Sequence, residues 1–238
     1  MYQERFYRHA LKGLNTCEVA YKESDLYIVS NNALDQDALK AALIKYYSVI
    51  DAYAKEHAEF VTSLTPLIPD ASAPCIVQDM TTASRSAGIG PFSTVAGAIA
   101  HYLGRDFMDK TDELLIENGG DIFININQPK RIGLYLGESF TKPTLTMTIA
   151  SRGEPFGICS SSATIGHSLN FGTADLVTII ARDALIADAF ATHYSNRIHT
   201  QADAHAVLDE AIKNPLIEGI VIAACKKLFF WGALQINQ

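Results

Sequence analysis

Charge is sparse in this sequence: 19% of its 238 residues are Asp, Glu, Lys or Arg, against about 25% in an average soluble domain. With 48% hydrophobic residues present, that scarcity excludes intrinsic disorder for most of the chain. A cationic excess is missing too. Lys and Arg number 19 against 26 Asp and Glu, so the formal charge is −7 and the pI near 5.4. A phosphate backbone is repelled on average, and no basic cluster offsets this, which excludes a general nucleic-acid partner. Cysteine is scarce and scattered: Cys17, Cys75, Cys159 and Cys225 form no C-x-x-C pair. Zinc-ribbon and thioredoxin-like chemistry are therefore excluded, and a reduced compartment fits. Residues 1–12 mix Glu4, Arg5, Arg8 and His9 with aromatics and lack the apolar core of a secretory leader, so a cytoplasmic location is expected. The most apolar stretch, 216–234, is broken by Glu218, Lys226 and Lys227, and falls short of the about 20 apolar residues a membrane span needs. No membrane partner is expected.

The length suits one domain over 1–238, with a mainly helical part to residue 112 and a sheet-rich part from 113. A strand-like run at 26–29 leads through Asn31 and Asn32 into a segment where Leu39, Leu43, Tyr46, Tyr47, Ile50 and Tyr53 recur at helical spacing, which predicts one amphipathic helix over about 35–58. Pro66, Pro69 and Pro74 then enforce a loop. Helices are expected at 76–87 and 93–103, separated by the Gly88-Ile89-Gly90-Pro91 break. From 114 onward strands dominate: 114–116 and 122–124 flank a turn with two glycines, and 132–136 and 145–149 continue the sheet. A Gly/Ser/Thr-rich stretch at 157–173 precedes a strand at 176–180, helices at about 183–198 and 201–213, and a hairpin with strands at 220–224 and 228–231. The order of elements indicates an α+β or mixed layered fold rather than a regular βαβ array.

Several constellations can carry chemistry. Asp188 and Thr192 lie four residues apart on a helix, so a carboxylate and a hydroxyl share one face. Two hard oxygens can form part of a Mg2+ site whose remaining positions go to phosphate and water. The competing reading is an alanine-rich packing helix with a solvated Asp and a Thr bonded to its own backbone. The stretch 158–172 is rich in hydroxyls and glycine and can cradle phosphate oxygens through Ser160, Ser161, Ser162 and Gly166. Within it His167 can act as a general base or, when protonated, bind phosphate; the alternative is a polar surface loop. The Gly88–Gly97 region can place free amides at a helix N-terminus, although the Walker lysine is absent and a helix–helix corner explains it equally. Asn118-Gly119-Gly120-Asp121 fits a tight hairpin or a backbone lying close to a flat ligand. No acid is evidently placed to orient His167 toward Cys159, so no covalent role is assigned to that thiol.

Taken in order, these segments resemble the ApbE family of flavin transferases, and look closest to its short branch of ApbE-like proteins. Glu117-Asn118-Gly119-Gly120-Asp121-Ile122 is similar to the family's Asn-x-Gly-Gly-Asp/Asn-Ile turn, and Ala187-Asp188-Ala189-Phe190-Ala191-Thr192 to its Ala-Asp-Ala-Leu-Ala-Thr helix. Between them Cys159-Ser160-Ser161-Ser162 resembles its Thr-Ser-Gly segment, and His167 the histidine before its Ile-Asp-Pro turn. The resemblance implies an ApbE-like layered fold of mixed or antiparallel sheet with packed helices, and binding of FAD with Mg2+. It also implies transfer of FMN to a threonine hydroxyl of an acceptor protein with release of AMP. By position it assigns Asp188, Thr192 and a backbone carbonyl near Ala96 to the metal, and His167 to the role of base. The nucleotide contacts fall to Asn118, Gly119, Gly120, Asp121, Ser160, Ser161, Ser162, Gly166 and His167. The sequence departs from the pattern around Gly90-Pro91-Phe92, lacks the family's Ala-Lys-Gly lysine, and carries Ser168-Leu169-Asn170 where the family has Ile-Asp-Pro. Those departures keep a second expectation open, a non-catalytic flavin- or nucleotide-binding module, and a third, an interaction protein with a vestigial pocket. A homo-oligomer is compatible with each.

Overall fold

The computed structural model describes residues 14–164, 169–232 and 234–237. Eight strands form one wholly antiparallel sheet. In spatial order they are β1 (Asn15–Tyr21), β2 (Ser24–Ser30), β3 (Leu114–Asn118), β4 (Asp121–Asn125), β7 (Phe156–Ser161), β8 (Leu176–Ala181), β9 (Ile217–Ala224) and β10 (Lys227–Gly232). The remaining strands, β5 (Lys130–Tyr135), β6 (Thr144–Ile149) and β11 (Leu234–Asn237), make a second, three-stranded sheet in the order β11-β6-β5. The expectation that 132–136 and 145–149 continue the main sheet is therefore corrected. Alternating side chains fit either sheet, and here Ile132, Leu134, Leu145, Met147 and Ile149 pack as a separate layer on one face of the larger one.

Strand β8 shows how the layers are held apart. All six of its residues are buried: Val177, Ile179 and Ala181 belong to the core beneath the helices, while Leu176 and Ile180 belong to the core beneath the small sheet. A strand covered on both faces buries every residue, which gives this run, apolar except for Thr178. The helices α1 (Gln36–Glu56), α2 (Ala58–Thr62), α3 (Cys75–Ala87), α4 (Val95–Phe107), α5 (Ala184–Ser195) and α6 (Gln201–Lys213) contribute to the other core.

Helix ends follow local chemistry. Asp35 caps α1 by accepting from the amides of Asp37 and Ala38, and the helix stops at His57, one residue before the expected end. Gly88 closes α3 in the left-handed conformation at φ +75, where a side chain is disfavoured. Pro91–Thr94 forms a 3-10 turn that feeds α4. The α6 start is a reciprocal capping box between Thr200 and Asp203. The stretch read from composition as a hydroxyl-rich loop begins instead as β7, with Cys159, Ser160 and Ser161 inside a central strand. Strands β1 and β11 were not anticipated. The β9–β10 hairpin turns through Cys225 and Lys226, both at positive φ, in the type I′ manner. In β10, Phe229 and Trp231 pack toward the helix-side core while Phe230 is 53% exposed. Among the described residues no helix is long and apolar enough to cross a membrane.

Candidate active site

The hairpin between β3 and β4 turns through Gly119 and Gly120, at φ +70 and +108, so Asn118 and Asp121 face each other directly across the strands. Two successive positive φ values are what the turn requires and what glycine tolerates. Both polar side chains are nearly buried. The Asn118 amide donates to the carbonyl of Ala96 in the first turn of α4, at 3.3 Å. The next residue, Gly97, donates its backbone N–H to Asp188 Oδ2 at 2.9 Å, joining α4 to the middle of α5. That amide belongs to the first turn of α4, where backbone donors have no partner within the helix. Gly97 has no room for a side chain: a Cβ there would lie 2.5 Å from the Ala184 carbonyl oxygen and 2.7 Å from Asp188 Cβ.

Asp121 stands opposite Cys159 in the β4–β7 ladder, and the Cys159 thiol lies 3.3 Å from the carbonyl of Ala184. Burial, reinforced by the charges of Asp121 and Asp188, pushes this thiol well above its ordinary range, so it is a protonated packing group and no nucleophile. Burial and then the charge of Asp121 push Asp188 well above the usual carboxylate range, against the opposing pull of the Gly97 amide. Two carboxylates thus share a buried region, and Asp188 has no ion pair among the described residues. Such an arrangement favours uptake of a proton or a cation.

The donor set fits a hard cation. Asp188, the Thr192 hydroxyl one turn further along α5, and the Ala96 carbonyl all offer oxygen donors. Among the described residues no three His, Cys, Asp or Glu side chains are grouped to hold a metal. A cation here would therefore depend on one or two carboxylates with hydroxyl and carbonyl oxygens, leaving positions for phosphate and water, as Mg2+ commonly does.

Ala96, Asn118, Gly119, Gly120, Asp121 and Asp188 are brought together, with Thr192 one turn away. The hydroxyls at 160–162 diverge. Strand alternation turns Ser160 to the opposite face, where it lies 2.8 Å from the Thr178 hydroxyl. Ser161 accepts from the Asn170 amide at 3.1 Å, and Ser162 accepts from the Thr164 amide. Gly166 and His167 lie outside the described residues. The geometry also gives positioning roles to residues that the sequence did not assign to the site. Asn170 donates to Ser195 as well as to Ser161, and accepts from the Gly172 amide, fastening the segment after His167 to β7 and α5. Ser195 continues the Asp188, Thr192 helical spacing by three residues, a signal present in the sequence; the 25-residue separation of Asn170 and Ser195 hid their contact.

Solved proteins share this architecture. The flavin transferase ApbE from Vibrio cholerae superposes with a TM-score of 0.55 at 10% identity, covering 93% of this chain and 97% of that one. The apo flavinyl transferase ApbE from Pseudomonas stutzeri gives 0.57 at 10% identity, covering 92% and 94%. The fold is thus that of the ApbE proteins. The chain itself belongs to the family described as AbpE bacteria, whose sequence profile matches residues 8–223. Its relatives include a UPF0280 protein of Methanoregula boonei, 35% identical over 214 residues that cover 89% of this chain and 88% of the relative. Another, from Methanospirillum hungatei JF-1, is 40% identical over 184 residues covering 77% and 73%.

Proposed function

We propose that this protein is a cytoplasmic, Mg2+-dependent FAD-binding enzyme that transfers the FMN moiety of FAD to a hydroxyl of an acceptor protein, releasing AMP. The observation that carries the reading is the Asp188 carboxylate held at the first turn of α4 by the Gly97 amide, beside Asp121 and the Ala96 carbonyl. Family membership and the ApbE architecture support it. Asp188, Thr192 and Ala96 would hold the metal, which when bound supplies charge neutralisation at the pyrophosphate. Asn118 fixes the Ala96 carbonyl through its amide. The glycine turn at 119 and 120 leaves bare backbone against which a flat ring can lie. Ser161, Ser162 and Gly166 are assigned to nucleotide contacts, with the Ser161 hydroxyl positioned by Asn170; Ser160, on the opposite face of β7 against Thr178, is left out of the site. His167 takes the proton of the acceptor hydroxyl as its oxygen bonds to the FMN phosphorus; the bond to the AMP phosphate breaks and AMP departs with the electron pair.

A second reading, a flavin- or nucleotide-holding module without chemistry, is favoured by the Ser168-Leu169-Asn170 departure, where Asn170 is committed to bracing Ser161 and Ser195. Calorimetric titration of FAD with and without Mg2+, on the wild type and on Asp188→Asn, followed by chromatography for AMP, separates the two. Asparagine keeps an acceptor for the Gly97 amide and deletes the charge. The expected result is Mg2+-dependent FAD binding weakened on the order of tenfold or more in the variant, with AMP release abolished by chelation. FAD binding without AMP, across metals and threonine-containing acceptor peptides, selects the module; absence of FAD binding in every condition overturns both.

A further inference from the structure

At the other end of the α4–sheet interface lies an open groove of about 470 Å3. It is lined by His101, Arg105 and Met108 from α4 and the turn after it, by Phe123 of β4, by Glu154 and Pro155 ahead of β7, and by Arg182 and Asp183 at the start of α5. Arg105 is eight residues beyond Gly97, which at about 1.5 Å per residue places it ~12 Å along α4 from the Asp188 contact. The volume falls within the range of small-molecule sites, roughly 300–1,000 Å3.

The polar groups of this groove are unevenly satisfied. Arg105 takes no ion pair among the described residues. Arg182 is engaged through Nε by Asp183 at 3.3 Å, which leaves the Nη atoms of its guanidinium to donate elsewhere. Asp183 is committed twice, to that pair and to the Ile186 amide that it caps at 2.8 Å. His101 Nδ1 is buried with no hydrogen-bond partner. Burial, aided by Arg105 and opposed by Asp183 and Asp79, lowers the affinity of this imidazole for a proton, so it is neutral and can donate or accept according to tautomer. Glu154 stands exposed at the rim.

We propose that this groove is a second binding site, separate from the flavin site, for a small organic monocarboxylate with an apolar body. Guanidinium forks from two different elements match a carboxylate. Met108, Phe123 and Pro155 offer apolar wall to the rest of the molecule. Glu154 and Asp183 bring the lining to net neutrality with His101 uncharged, which disfavours a phosphate dianion relative to a monoanion.

The test is an NMR titration of the full-length chain with sodium benzoate, read at the Arg Nε–H and His imidazole resonances, beside benzyl alcohol, inorganic phosphate and FAD. The expected result is a saturable benzoate shift at Arg105, Arg182 and His101, weakened about tenfold in Arg105→Gln and in Arg182→Gln. Both arginines are solvent-exposed, and unchanged unfolding temperatures would show that the variants retain the fold. Equal binding of benzyl alcohol refutes the carboxylate assignment, and equal binding of phosphate refutes the apolar one. Failure of benzoate to saturate refutes the site. Displacement of benzoate by FAD overturns its separateness, whereas FAD binding elsewhere with benzoate undisturbed supports it; the inference does not depend on FMN transfer.

Discussion

Replacing Gly97 by alanine sets helix propensity against packing. In an isolated helix the change is favourable by up to about 1 kcal/mol. Here the added Cβ would sit 2.5 Å from the Ala184 carbonyl oxygen, 2.7 Å from Asp188 Cβ and 2.9 Å from Asp188 Oδ2. Carbon atoms in van der Waals contact prefer about 3.5–4.0 Å, so roughly 1 Å is missing. Neither a backbone carbonyl nor a Cβ can rotate away, and α4 and α5 must separate. Overpacking of this kind costs about 1–3 kcal/mol, and weakening the Gly97–Asp188 hydrogen bond in a buried setting about 1–3 kcal/mol more. After the propensity gain, a net loss of about 1–5 kcal/mol is expected. At about 2–4 °C per kcal/mol for a chain of this size, Tm falls by roughly 2–20 °C. Calorimetric unfolding of Gly97→Ala measures it, with Gly133→Ala as control, since a Cβ at 133 meets nothing within 4 Å. A Gly97→Ala protein as stable as the wild type would refute the close approach of α4 and α5 at this point.

Glu113 yields a pH-dependent expectation. It accepts from the amides of Asn127 and Gln128, both at 3.2 Å, and pairs with Lys130, so it fastens the β4–β5 connection to the start of β3. Burial pushes its carboxyl up, but Lys130 and the two amides together hold it below the ordinary range. Its stabilisation is therefore complete above the unfolded-state pKa and lost as pH falls through the lower folded-state value. Glu113→Gln should cost about 1.5–3 kcal/mol at pH 7, and its urea midpoint should converge on that of the wild type in acid; a gap constant with pH contradicts this. Asn170→Ala removes the donor shared by Ser161 and Ser195, for an expected loss of about 1–3 kcal/mol. Hydrogen exchange at Phe171 and Gly172 should accelerate; unchanged protection there would show that Asn170 braces nothing.

The parts of the fold legible in the sequence were those whose causes are local. Leu39, Leu43 and Ile50 recur at helical spacing and are buried along α1, which Asp35 caps. The glycine pair at 119 and 120 announced its hairpin. Strand β7 was hidden because its small residues resemble a loop; their smallness serves the close passage of α5, whose Ala184 backbone lies against Gly157. Which sheet received β5 and β6 was invisible, since alternation specifies a face without naming the partner layer. At the proposed site, the shared helix face of Asp188 and Thr192 was legible from the helix period. The Gly97 contact with Asp188 spans 91 residues and leaves no trace in spacing.

The two-residue turn at Gly119 and Gly120 acts as a gauge block. Because Asn118 and Asp121 are paired directly across it, one inserted or deleted residue would shift the register and send one of them through the sheet to the far side. Asn118 would then lose Ala96, or Asp121 its place near Asp188. Descendants of this architecture that change chemistry are thus expected to do so by substitution at 118 and 121, and those that change length here to lose the buried carboxylate pair altogether.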